Sequence, residues 1–156
     1  MIDVREATYD DLERMDDLLE EWIGEMNPDG LNVDPKVPIL RKTFRNMRNM
    51  PSCCVLVMVD DGKIVGCLGL IQHGWGVCET QNFATENLWF IAKSHGGYAR
   101  NLIAAAKAWA RRRGCDYLIF STNRLSTKRA EKGDEFLGNL GFRPLYNLHI
   151  TEVSHV

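Results

Sequence analysis

No apolar run in this sequence approaches the ~20 residues that span a bilayer, and the longest, such as Cys53 to Val59, fall far short. The opening MIDVREATYDD is too acidic for a secretory leader, so a soluble cytoplasmic protein is expected. CxxC spacing is absent. The five cysteines are odd in number and include the adjacent Cys53 and Cys54, which suits reduced, mostly buried thiols rather than a disulfide framework or a zinc centre. The four histidines, His73, His95, His149 and His155, are scattered, so no metal is expected. Positive charge is not in excess either, at a net −2, and no aromatic stripe interleaves the basic residues; nucleic acid is therefore not an expected partner.

What is present is an ordinary globular balance over 156 residues, 45% hydrophobic and 26% charged, with no internal repeat or linker. One domain spanning 1–156 is expected. Its charges are segregated: Asp3 to Glu25 holds ten acids against Arg5 and Arg14, whereas Lys36 to Arg48 holds five bases and no acid. Two readings stand side by side, solvated helix faces or an acidic wall for a cationic acceptor and a basic one for phosphates.

Periodicity orders the elements. A short strand, DVREAT, leads to one helix over TYDDLERMDDLLEEWIGEM, capped by Thr8, with Leu12, Met15, Leu18, Leu19, Trp22 and Ile23 on one face. The loop NPDGLNVDP precedes a second helix, Val37 to Asn49, stopped by Pro51, where Leu40, Phe44 and Met47 lie opposite Arg41, Arg45 and Arg48. CCVLVMVDDGKIVGCLGLIQ reads as a hairpin turning at Asp61 and Gly62, with Gly66 and Gly69 marking a bulge or a close approach. HGWGVCETQNF is expected to be a connector and ATENLWFIAK a strand. The longest helix runs from Tyr98 to Arg113, buries Leu102, Ile103, Ala106, Trp109 and Ala110, and ends at Gly114. DYLIFSTN reads as a buried strand, RLSTKRAEKGD as loop or loop plus a first helical turn, EFLGNLGF as helix, and RPLYNLHITEV as a closing strand. The order gives a mixed α/β domain.

The chemistry-bearing stretch is SHGGYAR, Ser94 to Arg100, where Gly96 and Gly97 open the long helix. Free amides and the positive dipole end make such a start a cradle for a diphosphate, with Arg100 adding a cation; equally, the glycines serve a tight crossover. Two nucleotide motifs are excluded by spacing. GxGxxG would need a third glycine after Tyr98, and GxxxxGK[ST] does not occur.

At this point the chain resembles the GNAT family, the acetyltransferases that use acetyl-coenzyme A (acetyl-CoA). SHGGYA occupies the place of that family's [QR]xxGx[GA] turn, with Gly97 and Ala99 at its last two positions and Ser94 in place of glutamine or arginine. The ending AWARRRGC, the later EFLGNLGFRPL and Asn123 at a strand end extend the likeness along nearly the whole chain. The resemblance implies the acyl-CoA N-acyltransferase fold, a single mixed, mostly antiparallel central sheet flanked by helices. It also implies direct acetyl transfer from acetyl-CoA to an amine acceptor, a small molecule or a protein, and a homodimer as in many members. Alternatives are a silent CoA-binding regulatory domain, or a nucleic-acid-associated protein using Arg41, Lys42, Arg45 and Arg48.

By the same resemblance, the backbone of Trp89, Phe90 and Ile91 would pair with the pantetheine arm, and Ser94, His95, Gly96, Gly97, Tyr98, Ala99, Arg100 and Asn123 would meet the cofactor. Glu86 would be the base, acting through water, with a surface glutamate as the bland alternative. Leu137 stands where many members have an acid tyrosine; Tyr98 and Tyr146 are the remaining hydroxyls, each equally suited to packing. The segment from Arg124 to Asp134 is longer than usual. Cys78 and Cys115 read as small buried residues rather than nucleophiles.

Overall fold

Thr8 and Asp11 set the first turn of the chain's helices, as a Thr before an acidic turn should. The Asp11 amide donates to Thr8 Oγ1 at 3.1 Å and the Thr8 amide donates to Asp11 Oδ2 at 2.8 Å. The structure, a computed structural model, describes residues 1–26, 34–75, 78–122 and 130–145. Its elements in order are β1 (Asp3–Glu6), α1 (Tyr9–Glu13), α2 (Asp16–Glu25), α3 (Val37–Asn49), β2 (Cys53–Asp60), β3 (Lys63–Trp75), β4 (Cys78–Ile91), a 3-10 turn (Lys93–Tyr98), α4 (Ala99–Arg112), β5 (Tyr117–Ile119) and α5 (Ala130–Asn139).

The five strands form one sheet in the order β1-β2-β3-β4-β5, antiparallel except for the parallel β4–β5 pair. This is the mixed, mostly antiparallel sheet that was expected. Helices α2 and α3 pack on β2, β3 and β4, and α4 packs on β1, β2 and β3. Asp61 (φ 44°) and Gly62 (φ 80°) turn β2 into β3 through a two-residue loop, the geometry that favours Asp-Gly. In α4 the expected face is the buried one, Leu102, Ile103, Ala106, Trp109 and Ala110. Gly114 (φ 70°) then ends it: the Cys115 amide reaches back to the Ala110 carbonyl and the Gly114 amide to Arg111.

Three expectations are corrected. The first helix is two helices, because α1 ends at Arg14. Its Asp11 carboxylate is fully buried and held by the Arg5 guanidinium at 2.5 and 3.0 Å and by Arg14 at 3.1 Å, so the turn is fixed to β1 before α2 begins. The connector HGWGVCETQNF is largely strand: His73 pairs with Phe83, their rings stack at 6.1 Å, and His73 Nε2 lies 2.6 Å from Thr85 Oγ1. The strand in DYLIFSTN is only three residues long. Of the expected closing strand, Arg143 to Leu145 carry no ladder and the rest, with the loop 27–33, lies outside the described residues.

The charged stretches meet one another. Arg41 binds Asp16 and Arg45 binds Glu13, while Arg48 donates to the Ala7 carbonyl at 2.8 Å and lies 3.9 Å over the Tyr9 ring. The three arginines of α3 are therefore spent on the N-terminal segment rather than presented as a phosphate-attracting wall. Gly69 is a close approach: a Cβ there would lie 2.7 Å from Met47 Cε of α3. Among the described residues no helix is long and apolar enough to cross a membrane.

Asp11 supplies the test of this arrangement. Asp11→Ala removes the carboxylate half of the capping box, the acceptor of the Thr8 amide, and the bidentate partner of Arg5, and should cost about 2–4 kcal/mol in urea unfolding. Arg5 holds the Asp11 carboxyl well below the usual carboxylate range. Its contribution is thus complete above the unfolded value of about 3.9 and is lost as pH falls toward the folded one. Unfolding curves between about pH 5 and 2 should be steeper for the native chain than for Asp11→Ala.

Candidate active site

Strand β4 serves two neighbours unequally. It pairs with β3 along its length, but with β5 only over Phe83–Thr85 against Tyr117–Ile119. From Glu86 to Ile91 it runs on beyond that ladder. The β3 register also slips here, since Gly69 faces Leu88 and Leu70 faces Glu86, leaving Asn87 as a bulge. Asn87 Nδ2 lies 3.5 Å from Met47 Sδ, the same side chain that rests on Gly69.

The bulge changes which side chains share a face. Without it, Glu86 and Trp89 would point to opposite faces, three residues apart in a period of two. With it, both reach Ser121, just past β5. Glu86 Oε2 accepts from the Ser121 hydroxyl at 2.6 Å and from the Ser121 amide at 3.1 Å, while the Trp89 indole N–H donates to the Ser121 carbonyl at 3.3 Å. Trp89 also meets the Phe120 ring edge-on at 5.6 Å.

Glu86 is 8% exposed and, with Asp11, one of the buried charged residues. Burial pushes its carboxyl above the usual value, and the two Ser121 hydrogen bonds hold it back. Phe90 and Ile91 are buried, Phe90 stacking on Trp22 at 5.7 Å and 7°, so their side chains belong to the core.

At the end of β4 the glycine stretch is a 3-10 turn that passes into α4. The Lys93 amide donates to Glu21 of α2 at 2.6 Å. Ser94 Oγ lies 2.8 Å from His95 Nδ1, and His95 Nε2 lies 3.3 Å from Asp60 Oδ2, so both side chains are tied to the protein. A Cβ on Gly97 would meet nothing within 4 Å. Tyr98 is half-exposed, Ala99 is buried, and Arg100 is exposed and makes no ion pair among the described residues. The open space at Gly97 and the exposed Arg100 leave room for an anion at this helix start, while the amides of the 3-10 turn are used within it, the His95 amide donating to Ala92 and the Ala99 amide to Gly96.

The structure thus places Glu86, Trp89, Phe90, Ile91 and the stretch from Ser94 to Arg100 on one strand and the turn that follows it. Asn123 and Tyr146 lie outside the described residues. Leu137 is buried in α5, and the carbonyl of that residue receives the Phe142 amide in the helix's glycine-ended cap. Burial pushes the Cys54 and Cys67 thiols up to about 12 and raises that of Cys115, which suits inert packing residues. No group of three or more metal-ligating side chains is gathered among the described residues. Ser121, Glu21 and Asp60 were not legible as site residues. Each acts across at least 35 positions of sequence, which no local pattern signals.

The family model described as "Acetyltransferase (GNAT) family" matches residues 13–142. The chain belongs to the GNAT family. No curated protein sequence matches it. Solved structures share the GNAT fold at low identity. A transcriptional regulator from Bacillus halodurans C-125 is 20% identical with a TM-score of 0.74, over 98% of this chain and 100% of that one. A ribosomal-protein-alanine N-acetyltransferase from Brucella melitensis biovar Abortus 2308 is 14% identical with a TM-score of 0.74, over 99% and 100%. An aminoglycoside N-acetyltransferase in complex with CoA is 16% identical with a TM-score of 0.74, over 98% and 95%.

The raised carboxyl of Glu86 has a signed consequence for stability. A carboxyl raised on folding carries a penalty above its folded value and none below the unfolded value of about 4.3. Glu86→Gln keeps an acceptor for Ser121 and removes that penalty. Its Tm should match or exceed the native one by up to about 4 °C at pH 8, with the difference vanishing near pH 4. Thermal unfolding across that range checks it.

Proposed function

We propose that this GNAT protein is an acetyl-CoA-dependent N-acetyltransferase, acting as one domain over residues 1–156 on a primary amine of a small molecule or a protein. The observation that carries the reading is the sequence of features on β4. A buried acid, Glu86, is followed by a run beyond the β5 ladder and then by the glycine turn. Solved proteins of this fold include, by name, transferases for aminoglycosides and for ribosomal-protein alanine, both amine acceptors.

In this reading the backbone from Ser94 to Ala99 and the Arg100 cation hold the diphosphate. The fit favours main chain over side chains, because Ser94 and His95 already have partners whereas Gly97 is open. The backbone of Trp89, Phe90 and Ile91 pairs with the pantetheine arm, as extended ligands pair with a strand edge, and Asn123 contributes from the following segment. The acetyl thioester supplies the electrophile. The amine nitrogen bonds to the carbonyl carbon, the amine proton passes through water to Glu86, and the carbon–sulfur bond breaks to release CoA as a thiolate that takes its proton from water. An alkylammonium, with pKa near 10, needs such a base at neutral pH. Burial raises Glu86 toward that task.

On the acceptor side, Asp17 and Glu20 of α2 make no ion pair among the described residues, which favours a cationic acceptor. Leu137 is an observation in favour of a second reading, binding without catalysis. Its buried apolar side chain offers no proton to a leaving thiolate.

Gly97 separates cradle from fold. Gly97→Ala should fold with unchanged Tm and bind acetyl-CoA within a few-fold of native. Gly97→Glu should fold equally well and bind roughly 100-fold more weakly or not at all, read by calorimetry. Unchanged affinity in Gly97→Glu sinks the cradle. Glu86→Gln should lower kcat about 10²–10⁴-fold in a thiol-release assay with acceptor amines while leaving acetyl-CoA affinity in place. Tight binding by the native chain with no turnover on aminoglycosides, alanyl peptides or polyamines selects the second reading.

A further inference from the structure

We infer that Ser121 is a positioning residue for the acetyl transfer, fixing the Glu86 carboxylate so that Oε1 is the oxygen that receives the acceptor's proton. The inference rests on Glu86 being the base, and deepens that reading.

Three bonds tie residue 121 to β4, and none belongs to a strand ladder. Its amide and its hydroxyl both donate to Glu86 Oε2, at 3.1 and 2.6 Å, and its carbonyl accepts the Trp89 indole N–H at 3.3 Å. Because the parallel ladder stops at Ile119, these side-chain bonds are what hold Ser121 beside the bulged part of β4.

The donor count then decides where a proton goes. A backbone N–H can only donate, so protonating Oε2 would require the Ser121 hydroxyl to turn from donor to acceptor, whereas Oε1 takes a proton with both donors left in place. The hydroxyl distance of 2.6 Å is in the range of a donor bound to an ionised oxygen. Oε1 accepts from no described residue, and no sealed side-chain oxygen among the described residues lacks a partner. The carboxylate is thus presented with one oxygen engaged and the other free to take a proton. When the amine gives up its proton, an O–H bond forms at Oε1, Oε2 keeps its two donors, and Ser121 gains or loses nothing.

The balance around Glu86 is simple. Burial by β3 and β4 disfavours its charge, Ser121 favours it, and no charged side chain among the described residues enters. Removing the hydroxyl therefore has one direction of effect: the charged form loses a donor while burial stays.

The experiment compares the native chain, Ser121→Ala, Ser121→Thr and Glu86→Gln. The first readout needs no activity: the pH titration of the Glu86 side-chain carboxyl carbon by ¹³C NMR, assigned by its absence in Glu86→Gln. Ser121→Ala should titrate at higher pH than native, and Ser121→Thr, which keeps the hydroxyl, should return to it. The second is kcat/KM against pH, with acetyl-CoA and whichever of an aminoglycoside or an alanyl peptide turns over. The acidic limb should move up in Ser121→Ala, lowering kcat/KM about tenfold at pH 6, with acetyl-CoA affinity unchanged. An Ala variant with the native titration and the native pH profile overturns the inference. If the native chain neither binds nor uses acetyl-CoA, the proposed function fails, while the NMR titration still decides whether Ser121 governs the Glu86 proton.

Discussion

Strand β4 has two neighbours that part from one another, and the rest of the site follows from that divergence. Toward β3 it keeps a long antiparallel ladder, accommodating one extra residue at Asn87. Toward β5 it keeps three pairs. Buried backbone donors and acceptors demand partners, so a strand that outruns its ladder must find them elsewhere. Side chains bridge the gap, with Glu86 and Trp89 engaging the backbone of Ser121, which satisfies the groups of that residue rather than those of β4 itself. The bulge makes this possible by bringing residues three apart onto one face. Its own position is set from α3, where Met47 lies against Gly69 and beside Asn87. A glycine on β3, a methionine on α3 and an asparagine on β4 thus fix where the carboxylate stands.

Charge in the N-terminal half is organised inward. Arg5 and Arg14 converge on Asp11, and Arg41 and Arg45 on the acids of α1 and α2. The exposed pairs of Arg41 and Arg45, unlike those of the buried Asp11, contribute only ~0–1 kcal/mol each, so their importance is less stability than what they remove from the surface. A helix whose arginines are paired has little left to release counterions from a polyanion. The segregation seen in the sequence is therefore largely pairing between helices, and Arg100, at the glycine turn, is among the described cations that make no ion pair.

Features set by local rules were legible in the sequence. The α4 face, the Gly114 cap, the Asp61-Gly62 turn and the Thr8 cap each depend on residues within a few positions of one another. The break between α1 and α2 was not, because Leu12, Met15, Leu18, Leu19 and Trp22 keep a helical spacing through it and are all buried. The break lies in the backbone at Arg14 (φ −102°, ψ 9°), at a residue type that signals no helix end. The pairing of His73 with Phe83 was hidden for a similar reason: a Gly-rich stretch with polar residues looks like loop until a partner strand is in place. At the site, Glu86 and the glycine turn could be named from the sequence, whereas Ser121 lies 35 positions from Glu86 and has no motif around it.

The two buried carboxylates show how the same residue chemistry divides into structure and function. Asp11 is fully buried beside two arginines, which lock it in the charged form. A group whose proton affinity has been driven that low cannot exchange protons near neutral pH, and its work is to join β1 to α1. Among the described residues Glu86 is buried with neutral donors only, and its proton affinity rises instead. Burial without a cation is a cost to the fold, since an apolar residue or an amide would serve packing at least as well. The chain carries that cost on β4, just before the bulge and the run to the glycine turn, where the proposed transfer would use a carboxylate of raised basicity. Among the described residues the absence of a countercharge is what separates Glu86 from Asp11, and it is the physical reason for proposing Glu86 as the group that takes the proton.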